Sequence, residues 1–377
     1  MAWYLGFCKQ HKIDNPCGLD DCYASFRAIY AKALITGQNM VHRTIKAATA
    51  RLYLEAVNDL YRWLKLDVPI DFRDSTDLAV FIVANLEEWE AMPKRREPIS
   101  PEMTEFLRET SQGIDPDSFE AAIWDWFVLS RYIGQRISEF GQTTQDRVDY
   151  HETPAGAKHV KAFILDDFKF LTKRRQVIDD LDKLFDENHA KEVKTTFRFQ
   201  KNRRNGETIS LRADDVDPDL CPVRAAARIM SRARRLGQGS DEPAGVYLNN
   251  KKKKKHITGA KISKWLRNAA TVVHNITDPE ELARFSPHSF RVTAAVLLHQ
   301  AGKGSAYIKL RIRWASDVFM LYLRSTPEIM DQHTRAFGTE NARMRKLRLN
   351  PDNVPETVEP TVEIDPYGIN IVTDIDD

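Results

Sequence analysis

Ser286-Pro287-His288-Ser289-Phe290-Arg291 decides the reading of this chain. Ser-Pro marks the start of a helix, since serine caps well and proline suits the first helical position. His288 and Arg291, three residues apart, then share one face of the first turn, where backbone N–H groups also favour an anion. Such a turn suits a phosphate. Downstream, Val318-Phe319-Met320-Leu321-Tyr322-Leu323 is an apolar segment that Ser316 is placed to cap and Pro327 to end. A phosphate-holding turn followed by a tyrosine points to attack on a phosphodiester through the phenol oxygen.

Residues 1–92 read as helices only. Leu54, Val57, Tyr61 and Leu64 recur at steps of three and four, an apolar stripe for a small bundle. Leu78 to Trp89 is a further helix. Met92 to Pro101 then brings Pro93, Pro98 and Pro101 around the basic run Lys94-Arg95-Arg96. Proline at that density interrupts helices, which marks residues 93–101 as a linker whose cations are expected to touch phosphates.

Beyond the linker, Ala121 to Ile133 is strongly apolar and predicts a buried helix. Val193 to Leu211 predicts a hairpin, with alternation in Thr196-Phe197-Arg198-Phe199 and a turn signal at Asn205-Gly206. Pro222 to Leu236 predicts a helix followed by Gly237, and Ile262 to His274 another. Lys251 to Lys255 is expected to form a loop. It is compatible with a nuclear-import signal, with phosphate contact or with plain solvation. Residues 351–377 are expected to be a disordered tail or a docking arm.

The formal net charge of +2 hides an asymmetry. Residues 351–377 hold eight acidic and no basic residues, so setting them aside leaves +10 on residues 1–350. A basic body suits a polyanionic partner. Hydrophobic content of 42% can supply real cores, which argues against global disorder. Four cysteines, Cys8, Cys17, Cys22 and Cys221, are too few for a disulfide framework in a chain of 377 residues and indicate a reducing compartment. Cys8, His11, Cys17 and Cys22 match no usual zinc spacing, so three small buried thiols and a surface histidine are expected instead of a metal site. No apolar stretch approaches the roughly 20 residues of a membrane-spanning helix, and no signal peptide is evident. A soluble intracellular protein is expected, nuclear if eukaryotic and otherwise in the cytoplasm or nucleoid.

Five short boxes in order resemble those of the tyrosine recombinases, the phage-integrase family. Gly134-Gln135-Arg136-Ile137-Ser138-Glu139 is similar to the first arginine box, and Phe199-Gln200-Lys201-Asn202 to the stretch with the β-strand lysine. His288-Ser289-Phe290-Arg291 is similar to the His-x-x-Arg box. Trp314 stands where the family carries His or Trp, and Tyr322 at the nucleophile. Trp314 and Tyr322 are eight residues apart, one fewer than in the commoner bacterial pattern. The wording from Arg313 to Arg324 is most similar to the recombinases of eukaryotic crypton-type mobile elements.

The resemblance covers roughly residues 100–335 and implies a mainly α fold with a small β-sheet (α+β). A helical core-binding domain (1–92) and linker (93–101) would precede a catalytic domain (102–335) and a C-terminal segment (336–377). It also implies double-stranded DNA as partner, a homo-tetrameric synaptic complex, and cleavage through a 3′-phosphotyrosyl bond without metal or other cofactor. In that scheme Arg136 and Arg291 clamp the phosphate and Tyr322 attacks it. Lys201 protonates the leaving oxygen, His288 assists the tyrosine, and Trp314 donates its indole N–H.

Each residue also has a plainer reading. Arg136 with Glu139 is equally a salt bridge, Trp314 a packing residue, and Tyr322 a core residue. Lys201 competes with Arg203 and Arg204 for the role of acid. A decayed, domesticated DNA-binding protein and a type IB topoisomerase-like enzyme are the rival functions.

Overall fold

In a computed structural model, which describes residues 2–18, 21–38, 43–89, 95–153, 156–180, 183–184, 190–200, 205–314, 316–323 and short pieces at 334–335, 363–364 and 370–371, the chain divides into two units, 1–94 and 95–377. The fold is mainly helical with small antiparallel sheets, the class expected from the sequence. Among the described residues no helix is long and apolar enough to cross a membrane.

The first unit consists of helices α1 (Ala2–Gln10), α2 (Asp21–Thr36), α3 (Ala47–Trp63) and α4 (Leu78–Trp89). The apolar stripe of α3 buries Leu54, Val57 and Tyr61 against Tyr4, Leu34 and Val83. Leu64 departs from the expected stripe. It is the residue that caps α3, and it is exposed because the chain turns away at Lys65, which takes a φ of +59°. The Asn58 amide exchanges two hydrogen bonds with the backbone of Ile70 (2.7 and 3.2 Å), anchoring the loop after α3. The thiols also depart from expectation: Cys8 is buried, but Cys17 is half-buried and Cys22 exposed. Among the described residues no group of three or more His, Cys, Asp or Glu could hold a metal ion.

The second unit begins where the proline-rich stretch reaches Arg95. Residues 95–100 take no regular structure, and Ser100 caps helix α5 (Pro101–Glu109) by accepting the Met103 N–H, with proline at the first position. The two described arginines of the basic run each bond a backbone carbonyl. Arg95 donates to the Leu321 carbonyl (3.0 Å) and Arg96 to that of Ala283 (2.5 Å). Helix α6 (Phe119–Ile133) starts at a Ser118 cap and ends at Gly134. Gly134 has a φ of +54°, and a Cβ there would lie 2.7 Å from Cβ of Ile312, so only glycine fits. The short helix α7 (Ile137–Phe140) follows directly.

A small hairpin, β1 (Tyr150–Glu152) and β2 (Lys158–Val160), precedes a four-stranded antiparallel sheet. That sheet comprises β3 (Phe168–Leu171), β4 (Val177–Ile178), β5 (Glu192–Phe197) and β6 (Glu207–Arg212), in the order β4-β3-β5-β6. The last pair of the β5–β6 ladder is Phe197 with Glu207, so the connection runs from 198 to 206. Asn205-Gly206 is a turn leading into β6, as its sequence signal indicates, and residues 201–204 before it lie outside the described residues. The Asn205 side chain accepts the Gln200 N–H (2.8 Å), and Gly206 has a φ of +84°.

Helix α8 (Pro222–Arg235) ends before Gly237 as expected. Strands β7 (Val246–Leu248) and β8 (Lys254–His256) then pair. The five-lysine run is thus only partly a loop, since Lys254 and Lys255 are strand residues. Lys252 bonds Asp115, Lys254 bonds Gln238, and Lys255 bonds Asp146. Helices α9 (Gly259–His274), α10 (Pro279–Leu282), α11 (His288–Gln300), α12 (Ser305–Ile312) and α13 (Met320–Leu323) complete the unit. Of the acidic tail only strands β9 (Glu363–Ile364) and β10 (Asn370–Ile371), paired with each other, are described. The rest of it, and residues 324–333 and 336–350, lie outside the described residues.

One aromatic core brings α6, α7 and α11 together. Trp126 stacks on Phe140 at 5.0 Å, and Phe127 meets Phe290 at 5.1 Å. Burying each such ring contributes on the order of 1.5–3 kcal/mol. Phe290 lies between His288 and Arg291 in the chain, and Phe140 lies just beyond Arg136. The packing that stabilises the unit therefore also sets where these polar side chains stand.

Candidate active site

Three guanidiniums and one carboxylate form the centre of the second unit. Glu139, on α7, is nearly fully buried and receives four hydrogen bonds. Arg136 supplies two of them, from its backbone N–H (2.8 Å) and from Nη1 (3.1 Å). Arg313 supplies the other two, Nη1 to Oε1 at 3.1 Å and Nη2 to Oε2 at 2.9 Å. Burial works to raise the Glu139 carboxyl, but the bonds and charges of Arg313 and Arg136 outweigh it and hold it below the ordinary range.

Arg291 is buried on the first turn of α11. It donates Nη1 to the Gly134 carbonyl (2.5 Å) and Nη2 to the Arg313 carbonyl (2.9 Å), and lies 5.1 Å from the centre of the Trp314 ring. Burial, then the charges of Arg136 and Arg313, press Arg291 below the usual guanidinium range, and it remains a cation at neutral pH. Three positive charges against one negative leave a surplus of two. A site so charged is built to receive an anion.

The start of α11 differs in detail from the expected cap. Its closing bond runs from the Ser286 N–H to the Ser289 hydroxyl (3.2 Å), so the serine inside the helix, not the one before it, supplies the oxygen. His288 stands at the mouth of the site, with Nε2 3.5 Å from the Tyr322 hydroxyl. The protein packed around it, and then the charges of Arg291, Arg96 and Arg136, push its pKa down to about 4. The imidazole is open to solvent, so the guanidinium field is the firmer of these causes. At neutral pH His288 is an uncharged imidazole able to accept a proton.

Tyr322 is carried on α13, held by Phe319 and Leu323, which pack against Val292, Ala295 and Ile308. Ser316 precedes the short 3-10 turn Asp317–Phe319 but makes no side-chain cap bond. Asp317 instead accepts from Ser305 (3.0 Å) and Lys309 (3.1 Å). Arg95 holds the backbone of Leu321 from the other side. Trp314 meets Tyr322 edge-on at 6.0 Å and His288 at 6.2 Å. Among the described residues its buried indole N–H has no hydrogen-bond partner.

The structure thus gathers Arg136, His288, Arg291, Trp314 and Tyr322 from α6–α7, α11 and the α12–α13 region. Lys201, with its competitors Arg203 and Arg204, lies outside the described residues. Gln200 just before it accepts from Arg313 Nη1 (2.8 Å) and donates to Glu207 (3.0 Å). Sequence reasoning quoted Arg313 but assigned it no role. A buried arginine in the left-handed region, φ +57°, leaves no pattern in sequence to find it by.

A scan of protein families finds no match for this sequence, and a search of curated proteins finds none either. Among solved structures, the chain is similar to the Tn1549 transposon integrase in complex with transposon right end DNA. That similarity has 11% identity and a TM-score of 0.45, covering 89% of this chain and 92% of that one. It is also similar to XerA recombinase at 15% identity and TM-score 0.35, covering 89% and 90%. A third is the lambda integrase dimer bound to a core site, at 13% identity and TM-score 0.40, covering 85% and 86%. Likenesses this distant carry no argument about chemistry, which rests on the side chains.

Proposed function

We propose that the second unit cleaves and rejoins DNA as a tyrosine-type strand transferase, a site-specific recombinase or integrase. The observation that carries this reading is the Tyr322 hydroxyl in reach of the uncharged His288 imidazole, beside two uncompensated guanidinium charges. A phosphodiester seated there would meet Arg136, Arg291 and the Trp314 N–H. The Tyr322 oxygen attacks phosphorus, His288 takes the phenol proton, and the bond to the 5′-oxygen breaks. The products are a 3′-phosphotyrosine and a 5′-hydroxyl, whose proton comes from Lys201. The bound phosphate offsets the guanidinium field on His288, which raises the basicity of the imidazole when the proton must move.

The energy of the cleaved bond is kept in the phosphotyrosine, so rejoining needs no nucleotide. Mobile-element DNA as substrate, a synaptic tetramer and the catalytic role of Lys201 belong to the same proposal, on the strength of the sequence resemblance. The lysine run, three of whose members have partners within the protein, is the proposed import signal in a eukaryotic host. The test is trapping on a nicked duplex whose cleaved fragment diffuses away. Wild-type protein should run as a covalent adduct on a denaturing gel. Tyr322→Phe, which keeps the ring and removes only the hydroxyl, should give none while binding the same duplex. An adduct surviving in Tyr322→Phe would move the nucleophile, with Tyr307 the next candidate.

A further inference from the structure

We infer that Arg313 is a positioning residue that keeps Arg136 available to the phosphate and ties the β5–β6 hairpin to the clamp. The inference rests on the strand-transfer reading above. It assigns Arg313 no contact with DNA.

The Arg313 side chain is fully buried, with its guanidinium carbon 3.3 Å from the centre of the Phe197 ring at the end of β5. From there it reaches three parts of the site. Its fork covers both oxygens of Glu139, and its Nη1 also holds Gln200, the residue before Lys201. Its backbone carbonyl accepts from Arg291 Nη2, and the next residue in the chain is Trp314. Helix α12 ends at Arg313 in the left-handed conformation, and that turn aims the carbonyl and the side chain at different partners.

Charge competition explains why an arginine is needed. Arg136 commits one guanidinium nitrogen to Glu139, while Arg313 commits two. An arginine and a carboxylate prefer the paired, bidentate fork. Without Arg313, Glu139 would be a buried carboxylate with Arg136 as its remaining partner, and the full fork of Arg136 would turn onto it. The clamp would then lose its first arm to an internal salt bridge. Gln200 would lose its tie to Arg313 at the same time and leave the hairpin loop less restrained.

Removing Arg313 alone lets Glu139 capture Arg136 but also leaves a buried charge that risks unfolding, so Arg313→Met is compared with the charge-neutral pair Arg313→Met and Glu139→Gln, in which no carboxylate competes for Arg136. A further variant, Gln200→Leu, breaks the hairpin branch. All are assayed with full-length protein at saturating duplex, in a single turnover, on an ordinary nicked substrate and on one with a 5′-bridging phosphorothiolate, whose sulfur leaves without a proton. Arg313→Met is expected to bind duplex within a few fold of wild type yet cleave about 100-fold more slowly, and the double variant to melt near wild type and recover most of that rate. The phosphorothiolate should restore little of the loss in Arg313→Met but nearly all of the smaller loss in Gln200→Leu. A folded double variant that is still about 100-fold slow overturns the inference, as does a folded Arg313→Met that cleaves at the wild-type rate. So does an Arg313→Met whose whole loss is recovered on the phosphorothiolate, since Arg313 would then serve the leaving group alone. If wild-type protein forms no adduct, the strand-transfer reading itself fails and this inference with it.

Discussion

Replacing Arg291 with methionine separates a catalytic charge from a structural one. Methionine keeps much of the length and all of the apolar stem but removes the cation. The structure predicts a small change in stability. Two hydrogen bonds, to the Gly134 and Arg313 carbonyls, are lost, and bonds to a charged group contribute roughly 1.5–3 kcal/mol each. Opposing this, a buried guanidinium costs several kcal/mol to desolvate, and Arg136 and Arg313 repel it. The net change is expected to stay within about 2 kcal/mol, a shift of roughly 4–8 °C in the melting midpoint for a unit of this size. The chemical step should lose far more, on the order of 3 kcal/mol of transition-state stabilisation or about 100-fold in rate. Single-turnover cleavage beside a thermal melt measures both. The phosphorothiolate substrate adds a control. Arg291→Met should stay slow on it, because the charge on the non-bridging oxygens is still unmet, whereas Lys201→Ala should recover. A rate within 10-fold of wild type, or equal rescue of both variants, would refute this division of roles.

Three further outcomes follow from the same geometry. Cleavage should persist in excess EDTA, because the surplus guanidinium charge already faces the phosphate; strict dependence on a divalent ion would sink the mechanism. The pKa of His288 is depressed, so the unfolded chain takes up this proton near pH 6.5 while the folded one waits until about pH 4. Its contribution to stability is therefore complete above pH 6.5 and lost as pH falls from there towards 4. The kcat/KM profile, which reports the free protein, should show its acid limb near pH 4 and not near 6.5. Gly134→Ala should destabilise by at least about 1–2 kcal/mol, from the left-handed backbone alone, and more from the contact with Ile312. An unchanged melting midpoint in Gly134→Ala would show that the α6 terminus relaxes freely.

The sequence alone determined the local elements and the residue types of the site. Proline marked the start of α8 and glycine its end, an apolar run marked α6, and helical periodicity marked α3. These are short-range effects, because caps, turns and amphipathic stripes are written within a few residues of one another. Arg136, His288, Arg291, Trp314 and Tyr322 were singled out by resemblance to ordered family boxes. Tertiary structure decided what no window of sequence contains. Leu64 left its stripe because the backbone turned, and Arg95 and Arg96 found carbonyl partners at 321 and 283, which are distant in the chain. Arg313 found its partners at Glu139 and Gln200, 174 and 113 residues away. A guanidinium can be buried only where carboxylate and carbonyl oxygens converge on it, and that convergence exists only once α7, the hairpin and α12 have packed around one aromatic core.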